Sequence, residues 1–376
     1  MLKVEILTPP DATLLSSMLY EGFLKMVSEC SNEAEEECVR KVLRELKEKE
    51  IDFRFTGNDI KYTLGKISKE FKVNLRTFQD LMDFLQSMRF QNLRIAMRVL
   101  RTEKGVALNV GTPDFIKSGK EGYSFQIMKT DRYMGLSSSD YGMFKEKITT
   151  YTDLSGLLIF FTGLASSYVT SSRFKKETNY YFLFFDTETL LSYVLEGDIG
   201  KWMDIKKDVS ENIRQIIEEY GDINDEAITL SVLYNIQVLE ELRGGATSYV
   251  GFRLVKVSME GYTYKIYVDL PLRIYARRRI YEDIKGEKEL AEEISRVIEV
   301  LIPSASRFVR GADRFGDGYH AFKALRYLYL YVTTEDPSYL AMMYRELHEA
   351  YQISSRNGDR GAGRYLRCFL RHTMRF

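Results

Sequence analysis

The chain has 376 residues, with 54 Lys+Arg balanced by 54 Asp+Glu, 45% hydrophobic residues and only 6 prolines. This composition excludes a disordered chain and a globally basic nucleic-acid binder, so any argument for a polyanionic partner rests on local charge. The length suggests two domains, or one large body with an appendage.

The opening, MLKVEILTPPDATLL, carries no signal-peptide pattern; Lys3–Leu7 is expected as a strand, and Asp11 as the N-cap of the helix that follows. Cys30, Cys38 and Cys368 are odd in number and lack paired spacing, which predicts a reducing, cytoplasmic setting and no disulfide framework. Glu33–Glu50 reads as a charged amphipathic helix, and the next two segments, IDFRFTG and DIKYTLGKIS, as short strands or a hairpin. Arg76–Arg101 has helical period, with Leu81, Phe84, Leu85 and Met88 on one face. Gly105–Met134 contains two strand-like pieces around a basic loop, and Gly135–Gly142 is loop.

Leu154–Val169 is the greasiest run, at 16 residues. It is shorter than the roughly 20 apolar residues a membrane span needs, so Asp153–Thr170 is expected as a buried helix. Asn179–Phe185 is a continuous apolar strand, central in a sheet. Helices are expected at Thr187–Leu195, Val209–Tyr220 and Asp225–Leu242, followed by a long hairpin near 247–280 that turns at Met259–Tyr262. Beyond it only helices are expected: Glu287–Leu301, His320–Val332, Pro337–Gln352 and Arg364–Phe376. The fold class is α+β, a mixed sheet with packed helices (1–285) followed by a C-terminal helical bundle (286–376). The abundance of Glu, Lys and Tyr leans toward a thermophile.

Three basic regions are candidate nucleic-acid contacts. At the C-terminus, Arg360, Arg364, Arg367, Arg371 and Arg375 fall within roughly 80° of one helix face, with Tyr365, Leu366, Phe369 and Leu370 opposite. Arginine's fork suits phosphate or carboxylate, so an acidic partner face is the alternative reading. At the hairpin exit, Arg273, Tyr275, Arg277 and Arg279 share a strand face, with Arg278 beside them. Glu282 and Asp283 offer the plainer reading of a balanced, solvated face. In mid-chain, Lys117, Lys120, Lys129 and Arg132 lie among glycines and tyrosines, as surface loops often do.

Catalytic signals are sparse. FFDTET (Phe184–Thr189) delivers Asp186 and Glu188 from an apolar strand, similar to the first motif of the DEDD 3′–5′ exonucleases, whose paired carboxylates bind metal. The further aspartates of that family are missing, and Asp186 capping a helix is the plainer reading. His320, His348 and His372 have no ligand at metal spacing, and no metal or cofactor is expected.

Three pieces carry a family resemblance: the helix–strand run from Thr152 to Asp186, the hairpin arms from Gly251 to Arg278, and ALRYLYLYVTTEDPSYLAMMYREL (Ala324–Leu347). Together they resemble the large subunit of archaeal type I-A CRISPR interference complexes (Cascade). The resemblance is one of texture over most of the chain and assigns no site residue. It implies a non-enzymatic antiviral subunit that helps read the protospacer-adjacent motif, opens the target duplex and steadies the displaced strand. Its implied partners are CRISPR RNA, target DNA and the backbone, small and helicase-nuclease subunits, with no membrane.

Overall fold

The computed structural model describes residues 14–30, 36–49, 51–89, 96–102, 105–111, 116–117, 121–130, 151–174, 177–186, 199–221, 227–230, 249–275, 287–334 and 336–368. The fold is α+β. It divides into two compact units, Met1–Asp204 with Phe252–Pro271, and Ile205–Gly251 with Leu272–Phe376. This differs from a single cut near 285, because the hairpin contributes to both units.

In the first unit, α1 (Leu14–Cys30) lies against α5 (Leu154–Ser167). Asp153 caps α5 by accepting a hydrogen bond from the Gly156 amide at 2.9 Å. Leu157 through Phe161, Leu164 and Ala165 are fully buried, as expected for a helix that is apolar all round. The crossing is closed by glycine on both sides: a methyl group on Gly163 would stand 1.7 Å from the Met18 carbonyl oxygen, and one on Gly22 2.0 Å from that of Ile159. Among the described residues no helix is long and apolar enough to cross a membrane.

A disulfide joins Cys30, at the end of α1, to Cys38 on α2 (Glu36–Glu48), while Cys368 is free and buried. This corrects the expectation of no disulfide. An odd cysteine count says nothing about two thiols that neighbouring helices bring together.

Two further expectations are corrected in this unit. Ile51–Thr56 is neither helix nor strand, and a π-helical turn (Asp59–Leu64) then runs into α3 (Gly65–Phe71). The helix expected over Arg76–Arg101 is confined to α4 (Phe78–Ser87), started by a reciprocal cap between Thr77 and Asp80. After Met88 turns extended, Ala96–Thr102 (β1) pairs antiparallel with Gly105–Gly111 (β2). Ile116–Lys117 (β3) pairs with Tyr151–Thr152 (β4).

The main sheet is four-stranded, in the order β5 (Tyr168–Phe174), β6 (Glu177–Phe185), β7 (Tyr249–Glu260), β8 (Thr263–Tyr275). The apolar strand β6 is internal, with Tyr180 opposite Val257 and Phe182 opposite Val255. Gly261, at φ 59°, turns the hairpin where a side chain would be strained. Helix α5 and the sheet meet around packed rings, including Phe125–Phe161 at 4.9 Å and Phe53–Tyr180 at 5.1 Å between centroids.

The second unit is mainly helical: α6 (Ile199–Tyr220, whose first residues belong to the first unit), α7 (Glu287–Val309), α8 (Gly318–Thr334) and α9 (Ser338–Arg356). Helix α7 continues past the expected stop at Leu301 and through Pro303. Buried Ile298, Leu301, Ile302 and Ala305 carry its apolar stripe onward, and packing outweighs the lost hydrogen bond. The strand expected at Lys3–Leu7, the cap at Asp11, the loop at Gly135–Gly142 and the helix at Thr187–Leu195 lie outside the described residues.

Candidate nucleic-acid interface

The C-terminal arginine stripe does not form as expected. Ala362–Arg367 is a 3₁₀ helix, and three residues per turn give a different face from the α-helical one. Tyr365 is fully buried and Leu366 exposed, so the apolar and basic sides are not opposed. Arg364 turns inward. Its Nη2 lies 2.7 Å from Oδ2 of the fully buried Asp317, and its Nη1 2.6 Å from Asp359. The Tyr365 hydroxyl donates to Asp317 and lies 2.7 Å from Ser304 Oγ, and Arg307 donates to that serine at 2.9 Å.

Burial, reinforced by Asp317, pushes the Tyr365 phenol well above its ordinary value. Burial works against ionisation of Asp359, but hydrogen bonds from Ser354 and Arg364 outweigh it and hold the carboxyl at about 2. Arg364 is therefore a structural ion-pair residue and not an open phosphate contact. Arg360 and Arg367 are exposed; Arg371 and Arg375 lie outside the described residues.

Arg273 is exposed on β8 between buried Leu272 and Ile274; Arg277, Arg278 and Arg279 lie outside the described residues. The backbone of Lys117 is in β3, opposite Tyr151, while Lys120 and Arg132 lie outside the described residues. Asp186 follows the end of β6, and Glu188 is outside the described residues, so the carboxylate pair cannot be placed as a unit. Among the described residues no group of three or more His, Cys, Asp or Glu is arranged to hold a metal. His348 sits on the exposed side of α9, 2.7 Å from the Gln352 side-chain nitrogen.

The basic surface that does stand open lies elsewhere. Between Lys61 and Arg76 the chain has five cations, Lys61, Lys66, Lys69, Lys72 and Arg76, and one acid, Glu70. The inner side of this segment is fastened. Asp59, buried, accepts hydrogen bonds from the Thr56 hydroxyl at 2.8 Å and the Gln126 amide at 2.8 Å. Burial raises its carboxyl above the ordinary value against the pull of these bonds and of the Lys129 charge. Lys129, one of the expected residues, thus acts on this segment. Thr63 donates to the Ser124 carbonyl at 2.7 Å, and the Tyr123 hydroxyl to Glu70 at 2.7 Å. Leu64 and Ile67 are fully buried, and Tyr180 and Tyr264 bond the Arg54 backbone from the sheet.

With that side spent, the lysines point out. A π turn brings residues five apart into line and α3 those three or four apart, so Lys61, Lys66, Lys69 and Lys72 form one stripe. Lys66 also donates to the Gly122 carbonyl at 3.1 Å. Among the described residues, Lys61, Lys69, Lys72 and Arg76 make no ion pair. Lys72 ends α3 at φ 57°, a left-handed position normally given to glycine and strained for lysine. Tyr62, beside Lys61, is 62% exposed.

Sequence reasoning missed this stripe because Ile60, Tyr62 and Leu64 alternate as in a strand. The usable signal was Leu64, Ile67 and Phe71 at helical spacing with lysines between them.

The chain is similar to a protein from Archaeoglobus fulgidus described only as uncharacterized, at 27% identity over 392 residues, 97% of this chain and 98% of the relative. No family model matches, and no solved structure matches. The similarity spans both units and carries no activity with it.

Proposed function

We propose that this chain is a non-catalytic nucleic-acid-binding protein whose phosphate-binding surface is the Lys61–Arg76 stripe. The observation that carries the reading is that four cations of this segment, Lys61, Lys69, Lys72 and Arg76, make no ion pair among the described residues of a chain of zero formal net charge. Interior lysines are neutralised by nearby carboxylates; a row left open on a fastened scaffold is arranged for an external anion. Its spacing along a helix suits successive phosphates, and lysine, a point charge, suits backbone contact without sequence reading. In the finer form given by the family resemblance, the protein is the large subunit of a type I-A CRISPR interference complex. Its nucleic acids there are CRISPR RNA and target DNA, and it works in the cytoplasm of a thermophilic archaeon with the other Cascade subunits. The archaeal source of the relative is compatible with that setting.

Fluorescence anisotropy with labelled oligonucleotides, repeated from 50 to 200 mM salt, tests the coarser form. The triple variant Lys61→Glu, Lys69→Glu, Lys72→Glu should bind at least tenfold more weakly and lose about two to three from the slope of log K against log salt. Arg360→Glu with Arg367→Glu should do less. Unchanged binding in the lysine triple would remove the stripe as the site. For the finer form, a tagged chain should co-purify with CRISPR RNA and a repeated backbone subunit; recovery of neither counts against it.

A further inference from the structure

We infer that the ligand of this stripe is single-stranded, with its bases stacked on Tyr62 and Tyr262. The inference rests on the phosphate-binding reading above and adds the class of nucleic acid. Among the described residues of the first unit the exposed large hydrophobic side chains are Ile60, Tyr62, Val73, Tyr262 and Tyr267. Two of the five, Tyr62 and Val73, lie within the lysine stripe, and a third, Ile60, adjoins its start. A fourth, Tyr262, sits at the hairpin tip against Gly57, where a methyl group would approach its ring to 3.2 Å. Gly57 is one helical turn before Lys61, so both tyrosines stand at the same end of a helical track roughly 15 Å long from Lys61 to Phe71.

Both rings are seated yet open. Tyr62 is 62% exposed and has the Lys61 ammonium 5.1 Å from its centroid; Tyr262 is 65% exposed. Among the described residues neither hydroxyl has a hydrogen-bond partner. The hairpin tip is electrically neutral, because Lys265 pairs with Glu260. Tyr262 therefore brings a ring face and no charge to the end of a charged row. A duplex hides its base faces, whereas an unpaired strand offers phosphates to the lysines and bases to the rings at once. An anionic lipid surface is the other ligand that lysines with apolar neighbours could meet. Ile60 and Val73 are each less than 40% exposed, too little apolar surface for insertion.

The test compares a 15-nucleotide single strand, the matching duplex and phosphatidylserine vesicles on the full chain. The wild type should prefer the single strand by at least tenfold and quench a 2-aminopurine placed in it. Tyr62→Ala with Tyr262→Ala should lose tenfold or more on the single strand, abolish quenching and leave duplex affinity and the salt slope unchanged. Phe at both positions should restore binding and quenching. If the lysine triple weakens binding but the tyrosine pair does not, stacking is wrong and the phosphate stripe stands. If neither variant changes binding, both readings fall. Vesicles that compete with the oligonucleotide at equal affinity would overturn the choice of ligand. Circular dichroism and the melting temperature check that each variant is folded.

Discussion

Arg364 and Lys69 look alike on paper, each a cation in a basic helical segment, yet they meet opposite fates. Arg364 is gathered in by Asp317 and Asp359, which the turns before α8 and after α9 place beside it. Among the described residues Lys69 meets no carboxylate, and the nearest acid in its own segment, Glu70, is taken by Tyr123. Density of charge along a sequence is therefore a poor guide to an open anion site. What decides is whether distant parts of the chain supply the counter-charge.

That contrast can be broken by experiment. The largest effect is expected at Arg364: replacing it with Ala leaves the buried Asp317 with the Tyr365 and Ser304 hydroxyls and the Arg307 guanidinium at 3.8 Å, and should cost about 3 kcal/mol. Lys69→Ala should stay within about 0.5 kcal/mol. Chemical denaturation of the two variants measures both, and equal losses would dissolve the distinction.

A smaller effect follows from Asp359. A carboxyl held at about 2 in the fold against 3.8 when free stabilises the native state at every pH above about 4, and this contribution disappears as pH falls through 2. Asp359→Asn should therefore melt below the wild type at pH 7 and converge with it near pH 2. A gap that persists to the lowest pH would mean the charge is not what matters.

The smallest effect is expected at Lys72. Gly there removes the left-handed strain and should raise stability by up to about 1 kcal/mol while weakening oligonucleotide binding. A gain in stability with no loss of binding would take Lys72 out of the site.

What the sequence disclosed, it disclosed through short-range rules. Asp153 before an apolar run set the start of α5, and glycine within Met259–Tyr262 set the hairpin turn. Alternation and helical period placed β6 and the last long helices. The failures share a cause. A π turn has neither the period of a strand nor that of an α-helix, so Asp59–Leu64 was misread. Cys30 and Cys38 are joined by the approach of two helices, and Arg364 is captured by residues up to 47 positions away. Among the described residues, Lys129 is the expected cation that bears on the stripe. The rest were chosen by local density, which carries no information about compensation.

The interleaving of the two units has a consequence for synthesis. Strand β6 leaves the ribosome with its row of aromatics complete, but its neighbour β7 begins only at Tyr249. At typical elongation speeds it waits on the order of ten seconds for that cover. During this interval α5 and β5 are the surfaces at hand to shield Tyr180–Phe185 from sticking to other nascent chains. Shortening the region between them should therefore speed maturation, and a stalled transcript ending before Phe252 should yield insoluble product.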